Sequence, residues 1–262
     1  MTEWKAAEYS GHSQLQEAMA NELLALIDLA GSERVLDVGC GDGRITARIA
    51  ARVPEGMVVG VDSSRDMIAF ASSHYPPSTQ PNLRFEVSDA RQLSYRAEFD
   101  WVVSFNALHW IPDQDAALRS IRATMRADAR AQFRLVAAGE RKSLEAVVEE
   151  TRQSSRWTRY FSGFQDPYLR LTPAQYASAA ERNGLHVVRI HTEAKAWDFQ
   201  SRDAFFAFCA VGLVEWTRRL PDDLSAAFIN DVLDRYQSFP DAGAGEENTF
   251  KFYQMDVALN AA

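Results

Sequence analysis

Short apolar runs alternate with helical segments between residues 34 and 138, and this alternation constrains the fold most strongly. The runs are rich in β-branched and aromatic residues and have the length of strands. They are RVLDV at 34–38, MVVGV at 57–61, LRFEVS at 83–88, FDWVVSF at 99–105 and AQFRLVAA at 131–138. Parallel strands need a connection of helix length, so this order predicts a parallel sheet. With right-handed crossovers, the chain should form a doubly wound α/β fold with helices on both faces.

The C-terminal half has a different pattern. A predicted helix at residues 173–183 leads to LHVVRIHTEA at 185–194, which alternates as a strand does. Residues 201–237 are rich in Phe, Trp and Leu and predict two helices broken at Pro221. TFKFYQMDVAL at 249–259 alternates again and predicts the last strand. Helices, and not a tight turn, therefore separate the last two strands.

Apolar residues also recur at helical spacing over residues 13–30, with Ser13 as the expected N-cap and Gly31 as the expected stop. We expect this helix to close over a ligand site. The patterns together predict four parts: an N-terminal helical lid segment at 1–30, an α/β core at 31–200, a helical cap at 201–240 and a last strand at 241–262 that completes the core sheet.

Composition limits the partners. The 262 residues are 47% hydrophobic and 24% charged, with a formal net charge of −8. An acidic surface repels nucleic acid and anionic membranes, and no apolar run has the length of a membrane span. Two cysteines imply no disulfide framework, and the first residues do not resemble a signal peptide. We expect a cytoplasmic protein, monomeric or weakly dimeric, that binds a small molecule and neither nucleic acid nor a membrane.

The stretch RVLDVGCGDGRI at 34–45 places three alternate glycines at the carboxyl end of the first predicted strand, where open α/β sheets bind ligands. A P-loop would end in Gly-Lys-Ser/Thr, which is absent here. A dinucleotide fingerprint needs a small residue in place of Arg44, and the Asp42 carboxylate would repel a pyrophosphate. The loop therefore favours a nucleoside without phosphates.

Three Asp residues lie within or directly after the first three predicted strands. Asp37 could hold a ligand ammonium group, directly or through water, or cap a turn. Asp62 ends the second strand, where a carboxylate accepts both hydroxyls of a ribose. Asp89 ends the third strand, near the expected adenine edge, and could also cap the following turn. Ammonium, ribose and adenine together describe S-adenosylmethionine.

The segments VLDVGCGDG, VVGVDSS, SDA and NALHWIPD resemble the class I S-adenosylmethionine-dependent methyltransferases over about residues 30–138. EYSGHSQLQ, LHWIPD and FCAVGLVEWTRRLP resemble the trans-aconitate methyltransferase group, and juvenile hormone acid methyltransferases share part of this pattern. The resemblance implies a Rossmann-like, seven-stranded sheet with an antiparallel last strand and a helical cap inserted before it. It implies a carboxylic acid acceptor less directly than the cofactor. MRADARAQF replaces the family's usual Pro-Gly-Gly turn before strand five, and we interpret it as an altered surface turn.

The same resemblance indicates the site residues. Those expected to bind the cofactor are Asp37, Gly39, Cys40, Gly41, Asp62, Ser63, Met67, Ser88, Asp89, Ala90, Asn106 and Ala107. Those expected to contact the substrate are Tyr9, Gln16, Trp110, Trp216 and Arg219. His109 is the candidate catalytic residue, and no metal is expected.

Methyl transfer from a sulfonium is an in-line displacement, so the protein mainly supplies position and a dry cavity. A carboxylate acceptor, with a pKa near 4, needs no general base at neutral pH. A phenol, an amine or a carbon acid needs one, and His109, His12 or Tyr9 would be candidates. Because no residue stands out as an obligate base, carboxylate O-methylation is the favoured hypothesis. The alternatives are N-, O- or C-methylation of a small natural product and a non-catalytic cofactor-binding protein, against which the added cap argues.

Overall fold

One seven-stranded sheet organises the residues that the computed structural model describes, 21–22, 24–238 and 246–262. The strands are β1 (Arg34–Val38), β2 (Met57–Asp62), β3 (Leu83–Val87), β4 (Phe99–Phe105), β5 (Met125–Ala137), β6 (Leu185–Asp198) and β7 (Thr249–Ala261). Their order across the sheet is β3-β2-β1-β4-β5-β7-β6. Strands β1 to β5 pair in parallel, and β7 lies antiparallel to both β5 and β6. The predicted doubly wound sheet with an antiparallel last strand is confirmed.

Helices connect and cover these strands. They are α1 (Arg44–Ala50), α2 (Arg65–His74), α3 (Gln114–Thr124), α4 (Leu144–Gln153), α5 (Pro173–Arg182), α6 (Arg202–Gly212), α7 (Val214–Thr217) and α8 (Asp222–Gln237). Side-chain caps define several starts. The Ser64 hydroxyl accepts from the Met67 N–H at 3.3 Å before α2, and Thr172 and Gln175 form a reciprocal capping box at α5. Local sequence signals therefore define where these helices begin.

The sheet is buried on both faces. Leu36 and Val59 belong to one cluster of buried apolar side chains, while Val35 and Val58 belong to a second cluster. Successive residues of a strand point to opposite faces, so the two clusters lie on opposite sides of the sheet. This double burial holds the carboxyl ends of β1, β2 and β4 in fixed positions.

A third cluster of buried apolar side chains forms the cap. It joins Leu144 of α4, Phe205 of α6 and Phe228 of α8 to Phe252 of β7. The cap is thus larger than the segment expected at 201–240, because α4 and the loop after it also contribute. Amphipathic helices must bury their apolar faces, and here they do so against one another and the end of β7.

Two predicted boundaries are wrong. The helix expected to reach Ala30 has ended by Ile27, where the Arg52 guanidinium donates to the Leu24 and Ile27 carbonyl oxygens. Strand β5 begins at Met125, so the whole of MRADARAQF is strand and not a surface turn. A register shift between Phe99 and Trp101 accommodates the added residues. Most of the lid segment, residues 1–20, and residues 239–245 lie outside the described residues.

Candidate active site

A cavity of about 480 Å³ lies at the carboxyl ends of β1, β2 and β4 and extends beneath the cap. Loop residues that follow these strands line one end. Residues of α4, α6 and α7 line the other end. This is where an open α/β sheet is expected to bind its ligand.

Two glycines shape the loop after β1. The Gly39 N–H donates to the Val61 carbonyl at 2.8 Å, so the loop is held against β2. Gly39 has a φ of +78°, and a Cβ there would lie 2.1 Å from the Ala107 Cβ. Gly41 has a φ of +53°, and a Cβ there would meet no described atom within 4 Å. Glycine is therefore needed for packing at position 39, while position 41 leaves room for a ligand.

The Asp62 carboxylate is oriented by backbone N–H groups. Its Oδ2 accepts from Gly41 at 3.0 Å, and its Oδ1 accepts from Ser64 at 2.9 Å. Asp62 lines the cavity together with Ser63 and Met67. A carboxylate held in this way is well placed to accept hydrogen bonds from ribose hydroxyls.

Asp89 both caps a turn and lines the cavity. Its Oδ1 accepts from the Arg91 N–H at 2.9 Å, at the start of the 3₁₀ turn Ala90–Gln92. The Arg91 guanidinium donates to Asp89 Oδ2 at 2.6 Å, and these Arg91 hydrogen bonds lower the pKa of Asp89. Asp89 and Arg91 balance each other's charge, so this end of the cavity suits an uncharged base.

Asp37 lies beneath the glycine loop and does not line the cavity. It is 1% exposed, and its Oδ2 accepts from the Thr46 hydroxyl at 2.7 Å. Its Oδ1 is buried without a hydrogen-bond partner among the described residues. Burial, with the nearby Asp62 charge, raises the pKa of Asp37 to about 7. This position does not favour direct contact with a ligand, so a water-mediated contact is the hypothesis that fits.

Most of the predicted cofactor residues meet at this end of the cavity. Those that line it are Gly39, Gly41, Asp62, Ser63, Met67, Ser88, Asp89, Ala90, Asn106 and Ala107. Cys40 does not line it, because its side chain is buried, with Sγ 3.9 Å from the Gly41 carbonyl oxygen. Burial raises the pKa of the Cys40 thiol well above its usual range, which makes Cys40 a poor nucleophile.

His109 lines the cavity, but its hydrogen bond is incompatible with a general base. Its Nδ1 lies 3.3 Å from the backbone nitrogen of Val136, whose N–H can only donate. Nδ1 therefore accepts, and the proton of the neutral ring is on Nε2. Burial lowers the pKa of His109 to about 3, so the ring is neutral near pH 7. This geometry contradicts the predicted role of His109 as a general base, and donation from its Nε2–H to a ligand is a hypothesis.

Trp110 lines the cavity, whereas Trp216 does not. Trp216 is fully buried, and its Nε1–H donates to Glu149 Oε1 at 2.6 Å. The Trp216 ring packs against the Trp110 ring, with centroids 6.2 Å apart. The prediction that Trp216 contacts the substrate is therefore replaced by a structural role, in which Trp216 supports Trp110.

Arg219 also does not line the cavity. Its guanidinium lies 5.7 Å from the centre of the Phe164 ring, and Arg219 is exposed. It is therefore a surface residue of the cap and not a substrate contact. The other two predicted substrate contacts, Tyr9 and Gln16, lie outside the described residues.

Most residues on the cap side of the cavity were not predicted from the sequence. Its residues include Leu144, Glu145, Asp166, Tyr168, Phe208, Cys209, Leu213, Glu215, Phe250 and Phe252. The aromatic content of residues 201–217 is a sequence signal for Phe208. Glu145 and Glu215 have no such signal, because a glutamate on a helix is ordinarily exposed.

Known proteins match both the sequence and the fold. A family model described as a methyltransferase domain matches residues 35–128. Trans-aconitate 2-methyltransferase of Deinococcus radiodurans is 32% identical over 218 residues, which are 82% of this chain and 79% of that protein. Malonyl-[acyl-carrier protein] O-methyltransferase of Acetivibrio thermocellus is 28% identical over 125 residues, 47% of this chain and 43% of that protein. Haemonchus contortus phosphoethanolamine N-methyltransferase 2, solved with S-adenosyl-L-methionine, has a TM-score of 0.63 at 16% identity, covering 98% of this chain and 57% of that one.

A doubly wound sheet with this glycine loop, and with a carboxylate fixed at the end of β2, defines a nucleoside-binding site of the Rossmann-like class. The chain belongs to the class I S-adenosylmethionine-dependent methyltransferases, and S-adenosylmethionine is its cofactor. The open space beside Gly41 and the oriented Asp62 carboxylate fit this ligand.

Two further findings concern the described ranges alone. Within them, no group of three or more His, Cys, Asp or Glu side chains is arranged to hold a metal ion. No helix there is long and apolar enough to cross a membrane.

Proposed function

We propose that this methyltransferase acts on a small molecule bound beneath the cap. The observation that carries the proposal is that one cavity is lined both by Asp62 and by the cap residues Phe208 and Leu213. A concave, mostly apolar site with a few polar groups is typical of small-molecule binding. A cap over the cofactor site also excludes water, which a non-catalytic binder would not need.

When bound, S-adenosylmethionine would supply a methyl group, whose bond to sulfur would break as an electron pair of the acceptor forms the new bond. S-adenosylhomocysteine would be released, and the proton of an amine, phenol or alcohol acceptor would pass to water. The residues of the chain hold the acceptor in line for this step. Trp110 and Tyr168 provide an aromatic wall, with ring centroids 4.9 Å apart in an edge-to-face arrangement. The Nε2–H of His109 can donate to an oxygen or nitrogen of the acceptor, which orients it without removing a proton.

The charges of the lining argue against the carboxylic acid that the sequence favoured. Among the described lining residues, Arg91 is the only Arg or Lys, and its guanidinium pairs with Asp89. Glu145 and Glu215 lie on the cap side of the cavity. A carboxylate acceptor would meet like charges there, in surroundings of low dielectric. We therefore favour N-, O- or C-methylation of a small natural product, although several relatives are named for trans-aconitate, a carboxylic acid.

The test is the formation of S-adenosylhomocysteine, measured by mass spectrometry, with amines, phenols, alcohols and acids built on the same ring systems. We expect product with acceptors that carry no carboxylate. The Asp62→Ala variant, in which we expect weakened cofactor binding, is the negative control. Tight binding of S-adenosylhomocysteine without turnover of any acceptor would favour the non-catalytic alternative and overturn the proposal.

A further inference from the structure

We propose that Glu145 and Glu215 form a subsite that binds a basic amino group of the acceptor. The inference rests on the proposed methylation of a small molecule and adds the chemical group that this molecule must carry. It concerns recognition of the amino group, and the displacement itself is the one described above.

Both glutamates are buried on the cavity wall. Glu145, in the first turn of α4, is 8% exposed, and Glu215, in α7, is 5% exposed. Oε2 of Glu145 and Oε1 of Glu215 are buried and have no hydrogen-bond partner among the described residues. Burying a carboxylate oxygen without a donor costs free energy. Since both side chains line the cavity, a ligand with N–H groups can supply the donors.

Two guanidinium groups lie beside these carboxylates, and neither lines the cavity. Arg218 pairs with Oε2 of Glu215. Arg170 donates from Nη1 to Asp166 Oδ2 at 2.6 Å, its Nε and Nη2 are buried without a hydrogen-bond partner among the described residues, and its charge also acts on Glu145. Three carboxylates thus share two guanidinium groups, and burial raises the pKa of the Glu145 carboxyl. A ligand cation beside Glu145 would therefore stabilise its charged form. The desolvated pair of an ammonium group and a carboxylate is strong when its hydrogen bonds are made.

Aromatic side chains complete the surroundings of the subsite. Trp110, Tyr168 and Phe208 line the cavity on the cap side. Ring faces attract ammonium groups, and the apolar ring surface favours a hydrocarbon skeleton. An amine attached to an aromatic or aliphatic ring fits this combination better than a polar amino acid or a dicarboxylate.

The experiment uses the full chain saturated with S-adenosylhomocysteine and three probes that share one skeleton. Isothermal titration calorimetry compares 2-phenylethylamine, 2-phenylethanol and 3-phenylpropionate, and the same comparison is repeated with indole and cyclohexyl skeletons. We expect the amine to bind at least about tenfold more tightly than the alcohol, as charge-assisted hydrogen bonds imply, and the acid to bind most weakly.

Glu145→Gln and Glu215→Gln test the two carboxylates without changing side-chain size. Each should reduce the preference for the amine over the alcohol by about tenfold, with the affinities for the alcohol and S-adenosylhomocysteine unchanged. Glu150→Gln is the matched control, because Glu150 lies on α4 outside the cavity and is 41% exposed. Thermal unfolding separates a binding role from a structural one, since a purely structural glutamate would lower the Tm when replaced and leave the amine preference intact.

Several outcomes would overturn the inference while the cofactor still binds. They are equal binding of amine and alcohol, tighter binding of the acid, no binding of any amine at millimolar concentration, and an unchanged amine preference in both variants. Failure of the proposed function is distinct: no acceptor of any class would then yield S-adenosylhomocysteine.

Discussion

Nδ1 of His109 accepts a hydrogen bond from the backbone N–H of Val136 at 3.3 Å, and this contact fixes which nitrogen of the ring carries the proton. Val136 lies in β5, and His109 follows β4. The pairing of β4 with β5 therefore determines which ring nitrogen of His109 carries the proton. A histidine that is exposed or able to exchange tautomers could remove a proton, whereas this one can only donate from Nε2.

The burial of His109 should make the protein lose stability in acid. Its pKa is about 3 in the folded state, against about 6.5 in the unfolded chain. The unfolded chain therefore binds a proton first as the pH falls, so the contribution to stability is complete above about pH 6.5 and is lost progressively towards pH 3. In urea unfolding measured from pH 7 to pH 4, the free energy of unfolding of His109→Phe should fall less than that of the wild-type protein. The difference between the two losses should reach about 3 kcal/mol near pH 4. Parallel pH profiles of the two proteins would contradict this expectation.

Replacing Asp62 should weaken cofactor binding. Asp62→Ala removes an anionic acceptor for the ribose hydroxyls and also releases the Gly41 N–H that the carboxylate holds at 3.0 Å. Charge-assisted hydrogen bonds contribute about 1.5 to 3 kcal/mol, so the affinity for S-adenosylhomocysteine should fall about tenfold to a hundredfold in calorimetry. Asp62→Asn, which keeps the shape and one acceptor oxygen, should lose less. Unchanged affinity in both variants would show that Asp62 does not bind the ribose.

Gly39→Ala should destabilise the protein more than another glycine substitution with similar backbone strain. Gly39 and Gly163 both have positive φ, +78° and +68°, but an added Cβ clashes with Ala107 only at position 39 and meets no described atom within 4 Å at position 163. Gly163→Ala should cost about 1 kcal/mol, from the backbone alone. Gly39→Ala should cost about 1–3 kcal/mol more, from overpacking, and should also weaken cofactor binding. Denaturant unfolding measures both costs, and equal values would contradict the proposed close packing of the loop.

Two tryptophans should respond differently to the same substitution. Trp216→Phe removes the hydrogen bond to Glu149 and leaves a partly buried carboxylate oxygen with one donor fewer, which should cost about 1–3 kcal/mol of stability. Its effect on acceptor KM should be small. Trp110→Phe changes the cavity wall itself and should raise the acceptor KM with a smaller loss of stability. Unfolding and steady-state kinetics on both variants check this, and a large KM effect confined to Trp216→Phe would restore Trp216 as a substrate contact.

Much of the fold and the cofactor end of the site could be predicted from local patterns. Strand β4 forms at Phe99–Phe105, the range predicted from its apolar run. The loop residues near Asp62 and Asp89 follow the strands directly, so the parallel topology brings them together at one edge of the sheet. The start of β5 was predicted wrongly because MRADARAQF has weak strand propensity, and pairing with β4 overrides it.

The acceptor end could not be predicted in this way. Glu145 and Glu215 are seventy residues apart in sequence, and each lies on a helix whose local pattern predicts an exposed glutamate. Trp216 and Trp110 belong to equally aromatic segments, yet one contacts Glu149 and the other faces the cavity. Such differences depend on which helices pack together in the cap.

The sequence by itself determined the order of strands and helices, the parallel sheet and the glycine loop with its carboxylates, because periodicity, turn residues and short motifs act over neighbouring positions. Only the tertiary structure decided the protonation of His109, the burial of Asp37, the structural role of Trp216 and the acidic residues on the cap side of the cavity. Burial and hydrogen-bond partners set these properties, and both arise from contacts between segments that are distant in the chain.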